Sequence, residues 1–99
     1  MGFGAKIHTK VYTMTTYVAV FKSKTQLMSF IQIMKRFGAV VSTTATPTKA
    51  GVGCGISASF ETRYLSLARK IINEYALNSF HSIFKVTKDG FRTTTSKII

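Results

Sequence analysis

The chain has 99 residues, 45% of them hydrophobic and 17% charged, with 14 Lys+Arg against 3 Asp+Glu and a formal net charge of +11. That leaves room for one domain at most and excludes a disordered polar chain, which needs low hydrophobicity and dense charge. The carboxylates Glu61, Glu74 and Asp89 are too few and too scattered for paired-carboxylate hydrolysis or a calcium or magnesium site, whereas the basic excess favours anionic partners.

Residues 1–13 read as an N-terminal extension, because Met14 is an internal methionine directly before a clear strand. Met1 to Lys10 lacks the apolar core of a secretory signal, and no run approaches the ~20 apolar residues of a membrane span, so a cytoplasmic protein with no membrane partner is expected. The folded part is expected over 14–88, with a turn and frayed tail over 89–99.

Thr16 to Lys22 is β-branched and aromatic, a strand signal. Ser23-Lys-Thr-Gln26 matches the capping box that opens a helix. Leu27, Phe30, Ile31, Met34 and Phe37 then form one apolar stripe at helical spacing. Lys35 and Arg36 suit the last turn, and Gly38 supplies the stop. Ala39 to Ala45 reads as a second strand ended by Pro47, and Thr48 to Gly55 as a glycine-rich loop. In Ile56 to Phe60 apolar and serine residues alternate, giving a third strand with one apolar face. Glu61 and Thr62 start a second helix with the stripe Tyr64, Leu67, Ala68, Ile71 and Tyr75, and Asn78 is its expected stop. Phe80 to Val86 is a fourth strand. Asp89-Gly90 is a hairpin signal, so Phe91 to Thr95 is expected to fold back as an extra edge strand.

The order β-α-β-β-α-β predicts an α+β, ferredoxin-like domain: a four-stranded antiparallel sheet with both helices on one face. Val18, Val20, Ile56, Ala58, Phe60, Phe84 and Val86 are expected beneath the helices. Alternation then leaves Tyr17, Ala19, Phe21, Ser57, Ser59 and His81 on an open face.

Cys54 is the single cysteine, so no internal disulfide forms, and a free thiol suits a reducing compartment. Cys54, His8 and His81 lack zinc-finger spacing, and no metal site or cofactor is expected. Gly53-Cys54-Gly55 leaves the thiol without side-chain shielding. Gly51, Gly53 and Gly55 let backbone N–H groups converge on an anion, with Lys49 nearby in sequence. Such a loop would stabilise a thiolate and expose it, the two requirements of a reactive cysteine. The bland alternative is a small buried hydrophobe opening a strand. The loop is no P-loop, since no Gly-Lys-Ser/Thr follows, and His81 is the sole candidate base for a cysteine-protease arrangement.

Basic residues are spread over both helices, the loop and the fourth strand; ten of them, against Glu61 and Glu74, lie within 14–88. Two readings follow besides a solvated surface. One is an RNA-binding module stacking bases on Tyr17 and Phe21, although the third strand lacks the expected aromatic RNA-recognition pattern. The other is a regulatory or structural module that forms a homodimer through the open sheet face.

From Tyr17 to about Val86 the chain resembles a small bacterial family of unknown function, DUF3343, described as selenium/sulfur carrier-like. The matching features are Tyr17-Val-Ala-Val-Phe21, Phe37-Gly38, and above all Pro47 followed by Cys54-Gly55-Ile56-Ser57 and Phe60. Gly51-Val-Gly53 stands where members more often carry small hydroxyl residues, and Lys49 and the basic tails also depart from the pattern. The resemblance implies that Cys54 receives a persulfide or perselenide and hands it on, a relay between an acidic donor or acceptor protein and its counterpart rather than a turnover enzyme. In that expectation the amides of Gly51, Gly53 and Gly55, with Lys49, stabilise the Cys54 thiolate.

Overall fold

A computed structural model describes residues 13–51 and 54–99. The element order is β1 (Thr13–Phe21), α1 (Lys24–Arg36), β2 (Val41–Ala45), a 3-10 turn (Thr48–Ala50), β3 (Ile56–Glu61), a second 3-10 turn (Thr62–Tyr64), α2 (Leu65–Glu74), β4 (Phe80–Asp89) and β5 (Arg92–Lys97). Among the described residues the sheet has five strands in the order β2-β3-β1-β4-β5, every neighbouring pair antiparallel. The expectation of four strands is therefore corrected to five. The additional strand is the one announced by Asp89-Gly90: Gly90 turns at φ +67 and Asp89 pairs with Arg92. The end of the chain is not frayed either. Ile98 N donates to the Ile83 carbonyl at 2.9 Å, and Ile83 N donates to the Ile99 carbonyl at 3.1 Å.

Helix α1 begins as its sequence dictates, with the Ser23 hydroxyl accepting from Gln26 N at 3.2 Å. The reciprocal half of the capping box is replaced by a tertiary clamp. Ser79 N donates to Gln26 Oε1 at 2.8 Å, and Gln26 Nε2 donates to Asn78 Oδ1 at 3.0 Å. The helix start is thus tied to the turn between α2 and β4. At the other end Gly38, at φ +87, donates to the Lys35 carbonyl, and Ala39 N donates to the Met34 carbonyl, a Schellman stop. Phe37 falls at this cap and is 58% exposed, so it drops out of the stripe formed by Leu27, Phe30, Ile31 and Met34, and Ile33 is buried beside them.

Helix α2 stops earlier than Asn78. Leu77 N donates to the Ile72 carbonyl and Ala76 N to the Asn73 carbonyl, the same stop, but with Ala76 in the left-handed region at φ 49. Tyr75 lies at the cap and is exposed, while Ala68 and Ile71 are buried and Tyr64, Leu65, Leu67 and Ile72 pack half-buried on the core.

The facing of β1 reverses the expectation. Tyr17, Ala19 and Phe21 share one core with Leu27, Phe30, Ile31, Met34, Ala68 and Ile71, whereas Val18, Val20 and Phe84 form a second cluster with Val86 against it. Tyr17 and Phe21 are 8% and 0% exposed. They belong to a chain of rings: Tyr17 stacks on Phe60 at 6.4 Å, Phe60 lies 6.3 Å from Phe30, and Phe21 sits 5.2 Å from Phe30 and 5.7 Å from Phe80. Residues 17–21 are apolar at every position, so alternation alone does not choose a face. The helices contribute Phe30 and the other large groups, and the larger β1 side chains meet them there. The facing of β3 agrees with the expectation, with Ala58 and Phe60 in the helix-side core and Ile56 packed on it.

Candidate functional site

The connection between β2 and β3 carries the candidate cysteine. Ala45 pairs with Ile56 as the last rung of the hairpin, and Thr46 N donates to the Gly55 carbonyl at 3.1 Å just beyond it. The Thr46 and Ser57 hydroxyls lie 2.7 Å apart and lock the base of the loop, with Ser57 fully buried. A buried hydroxyl needs such a partner, because leaving it unpaired costs about 1–3 kcal/mol. Gly55 adopts φ +92, a conformation that glycine tolerates without strain.

From this base the segment Pro47–Gly51 crosses the sheet face opposite the helices. Ala50 packs against the cluster of Val18, Val20 and Phe84. The Lys49 ammonium donates to the Thr95 carbonyl on β5 at 2.7 Å. Because β2 and β5 are the two outer strands among the described residues, this strap bridges the width of the sheet they form. The face expected to be open is therefore partly roofed, which accounts for the complete burial of Val20 and Ser82.

Cys54 sits at the returning root of the loop. It is a free, half-buried cysteine packed against the helix-side core. Its thiol donates to the Ile56 carbonyl at 3.4 Å, a contact that needs the S–H and that a thiolate would give up. Of the loop residues expected to surround it, Lys49 makes its contact at Thr95, at the far end of the strap. The Gly51 amide donates to the Thr48 carbonyl at 3.1 Å to close the 3-10 turn, with Gly51 at φ 72. The Gly55 carbonyl accepts from Thr46 N. Gly53 lies outside the described residues.

The aromatic pair proposed for base stacking is not on a surface, since Tyr17 and Phe21 lie beneath the helices. His81 is half-buried next to the β1–β4 bulge, where Val20 pairs with Ser82 and Phe21 with Phe80; its Nδ1 is 2.9 Å from the Ser82 hydroxyl. Among the described residues no cluster of three or more His, Cys, Asp or Glu side chains could hold a metal, and no helix is long and apolar enough to cross a membrane. The Thr46–Ser57 lock and the Lys49–Thr95 tether escape sequence reasoning. Threonine beside proline and lysine in a loop are common, and the tether's partner is 46 residues away.

Residues 16–82 match the protein family described as "Putative Se/S carrier protein-like", and the chain belongs to that family. The match runs from β1 into β4 and contains the strap and Cys54. No curated protein and no solved structure matches the chain.

Proposed function

We propose that the protein carries a single sulfur or selenium atom on Cys54 and passes it between two protein partners. The carrying observation is that the only cysteine of the chain lies inside the family-matched segment, half-buried at the fixed root of a loop and free of any disulfide. A half-buried thiol keeps a route to solvent while the core behind it limits how far the carried atom can be reached.

The transfer balances without an oxidant. The Cys54 thiolate attacks the outer sulfur of a donor persulfide, the donor's S–S bond breaks, and the donor thiolate leaves. A nucleophile on the acceptor then attacks the outer sulfur on Cys54, and Cys54 departs as thiolate. A perselenide follows the same course with selenium as the outer atom. Loading requires the Cys54 S–H to let go of the Ile56 carbonyl, so that contact marks the unloaded state. On this reading the amides that stabilise the departing thiolate come from this root.

We read the strand order β2-β3-β1-β4 as ferredoxin-like, with β5 added at one edge. The partners are acidic proteins, drawn by the net charge of +11, in a reducing, cytoplasmic setting. The nucleic-acid alternative has lost its stacking platform, because Tyr17 and Phe21 are buried. Incubation with a small-molecule persulfide, followed by peptide mass spectrometry, tests the loading step. The Cys54 peptide gains one sulfur atom, and Cys54→Ser protein gains none. An unmodified Cys54 under conditions that load a free thiol peptide sinks the reading.

A further inference from the structure

The strap crosses the sheet face away from the core that Cys54 packs against. Between it and the sheet lies a partly enclosed cleft of roughly 380 Å³. Its apolar lining includes Met14, Val18 and Val86 of the sheet and Pro47 of the strap. Hydroxyls from Thr44 and Ser59 line the side towards β2, and Lys88 supplies the one cationic side chain. None of the lining residues is acidic. Thr95, which also lines the cleft, holds Lys49 through its carbonyl, so the strap is pinned at this end by Lys49 and at the other by the Thr46–Ser57 pair.

This combination fits the general form of a small-molecule site: a preformed concavity of a few hundred Å³, mainly apolar, with a few polar groups that fix orientation. We propose that the cleft binds a small organic monocarboxylate, its aliphatic part over Val18 and Val86 and its carboxylate at the Lys88 ammonium. A single lining cation matches one negative charge, and the Thr16 and Thr95 hydroxyls, on the two strand positions paired with Val86 and so two residues from Lys88, offer donors to the second carboxylate oxygen. The field of a strongly basic chain draws an anion and repels an amine of the same shape. The apolar lining sets the ligand apart from a bare inorganic ion, which would gain nothing from Val18 or Val86. The site lies in the Val18 cluster, on the sheet face away from the core that Cys54 packs against, so it is independent of the carrier reading.

Backbone-amide NMR titration of the full chain tests this with hexanoate, hexylammonium and inorganic phosphate as probes. Hexanoate produces saturable shifts at Thr16, Val18, Val86, Lys88 and Thr95; hexylammonium and phosphate produce none that saturate there. Lys88→Gln, an exposed strand position, weakens hexanoate by about tenfold, the worth of one charge-assisted contact. Cys54→Ser leaves the affinity unchanged, which separates this site from the carrier cysteine. Absence of saturable hexanoate shifts, an equal response to hexylammonium, or an unaltered affinity in Lys88→Gln overturns the proposal. So does saturation confined to other residues.

Discussion

The Lys49 ammonium reaches across the sheet to the Thr95 carbonyl, 2.7 Å away and 46 residues further along the chain. One exposed lysine thereby joins the loop leaving one edge strand to the strand at the opposite edge. A hydrogen bond from a charged donor at the surface contributes about 1 kcal/mol after exchange with water. Lys49→Met therefore costs little global stability but loosens the strap locally. Hydrogen exchange at the Ala50 and Gly51 amides, which close the 3-10 turn onto Pro47 and Thr48, rises in the variant while exchange in β1 stays unchanged. Equal protection of both amides in the two proteins contradicts this role for Lys49.

Gln26 ties the start of α1 to the turn before β4, accepting from Ser79 N and donating to Asn78. Gln26→Ala removes both contacts and leaves the half-buried Ser79 amide without its partner. A loss of about 1–3 kcal/mol is expected. Urea denaturation reads it as a lower midpoint at unchanged slope. A Gln26→Glu variant keeps the acceptor for Ser79 N and retains more of the stability than alanine does.

Ala76 occupies the left-handed position of the α2 stop at φ 49, where a Cβ is unfavourable by roughly 1 kcal/mol. Ala76→Gly relieves that strain, partly offset by the greater freedom of glycine in the unfolded chain. The net expectation is stabilisation by about 0.5 kcal/mol, seen as a raised thermal midpoint. A lowered midpoint would show that the turn does not carry the strain assigned to it.

Phe21 decides between the two possible facings of β1. Buried against Phe30 and Phe80, it costs about 3–5 kcal/mol when cut to alanine. An exposed base-stacking aromatic would cost almost nothing in folding and would be missed only in RNA binding. Thermal denaturation of Phe21→Ala tells them apart by the size of the loss.

Much of the architecture was legible because local chemistry enforced it. Ser23 and Gly38 bound α1 where their chemistry requires, and Asp89-Gly90 produced the fifth strand. The stop of α2 was not legible, since nothing in Ala76 advertises a left-handed conformation that glycine or asparagine usually fills. The facing of β1 was hidden because Tyr17 to Phe21 is apolar on both sides, and only the helices above it choose. At the candidate site the sequence marks the single cysteine and the glycine turns, of which Gly51 and Gly55 adopt positive φ. The role of Lys49 was not legible, because its partner is set by tertiary structure and lies on the far edge of the sheet.

Transfer of labelled sulfur distinguishes a Cys54 that relays a chalcogen atom from an inert thiol. Protein loaded from a donor with radiolabelled sulfane sulfur is freed of excess donor and mixed with an acceptor thiol protein. Label is expected to leave Cys54 and appear as persulfide on the acceptor, with no label carried by Cys54→Ser protein. Label that never reaches Cys54, or that stays there while the acceptor remains unlabelled, contradicts the relay.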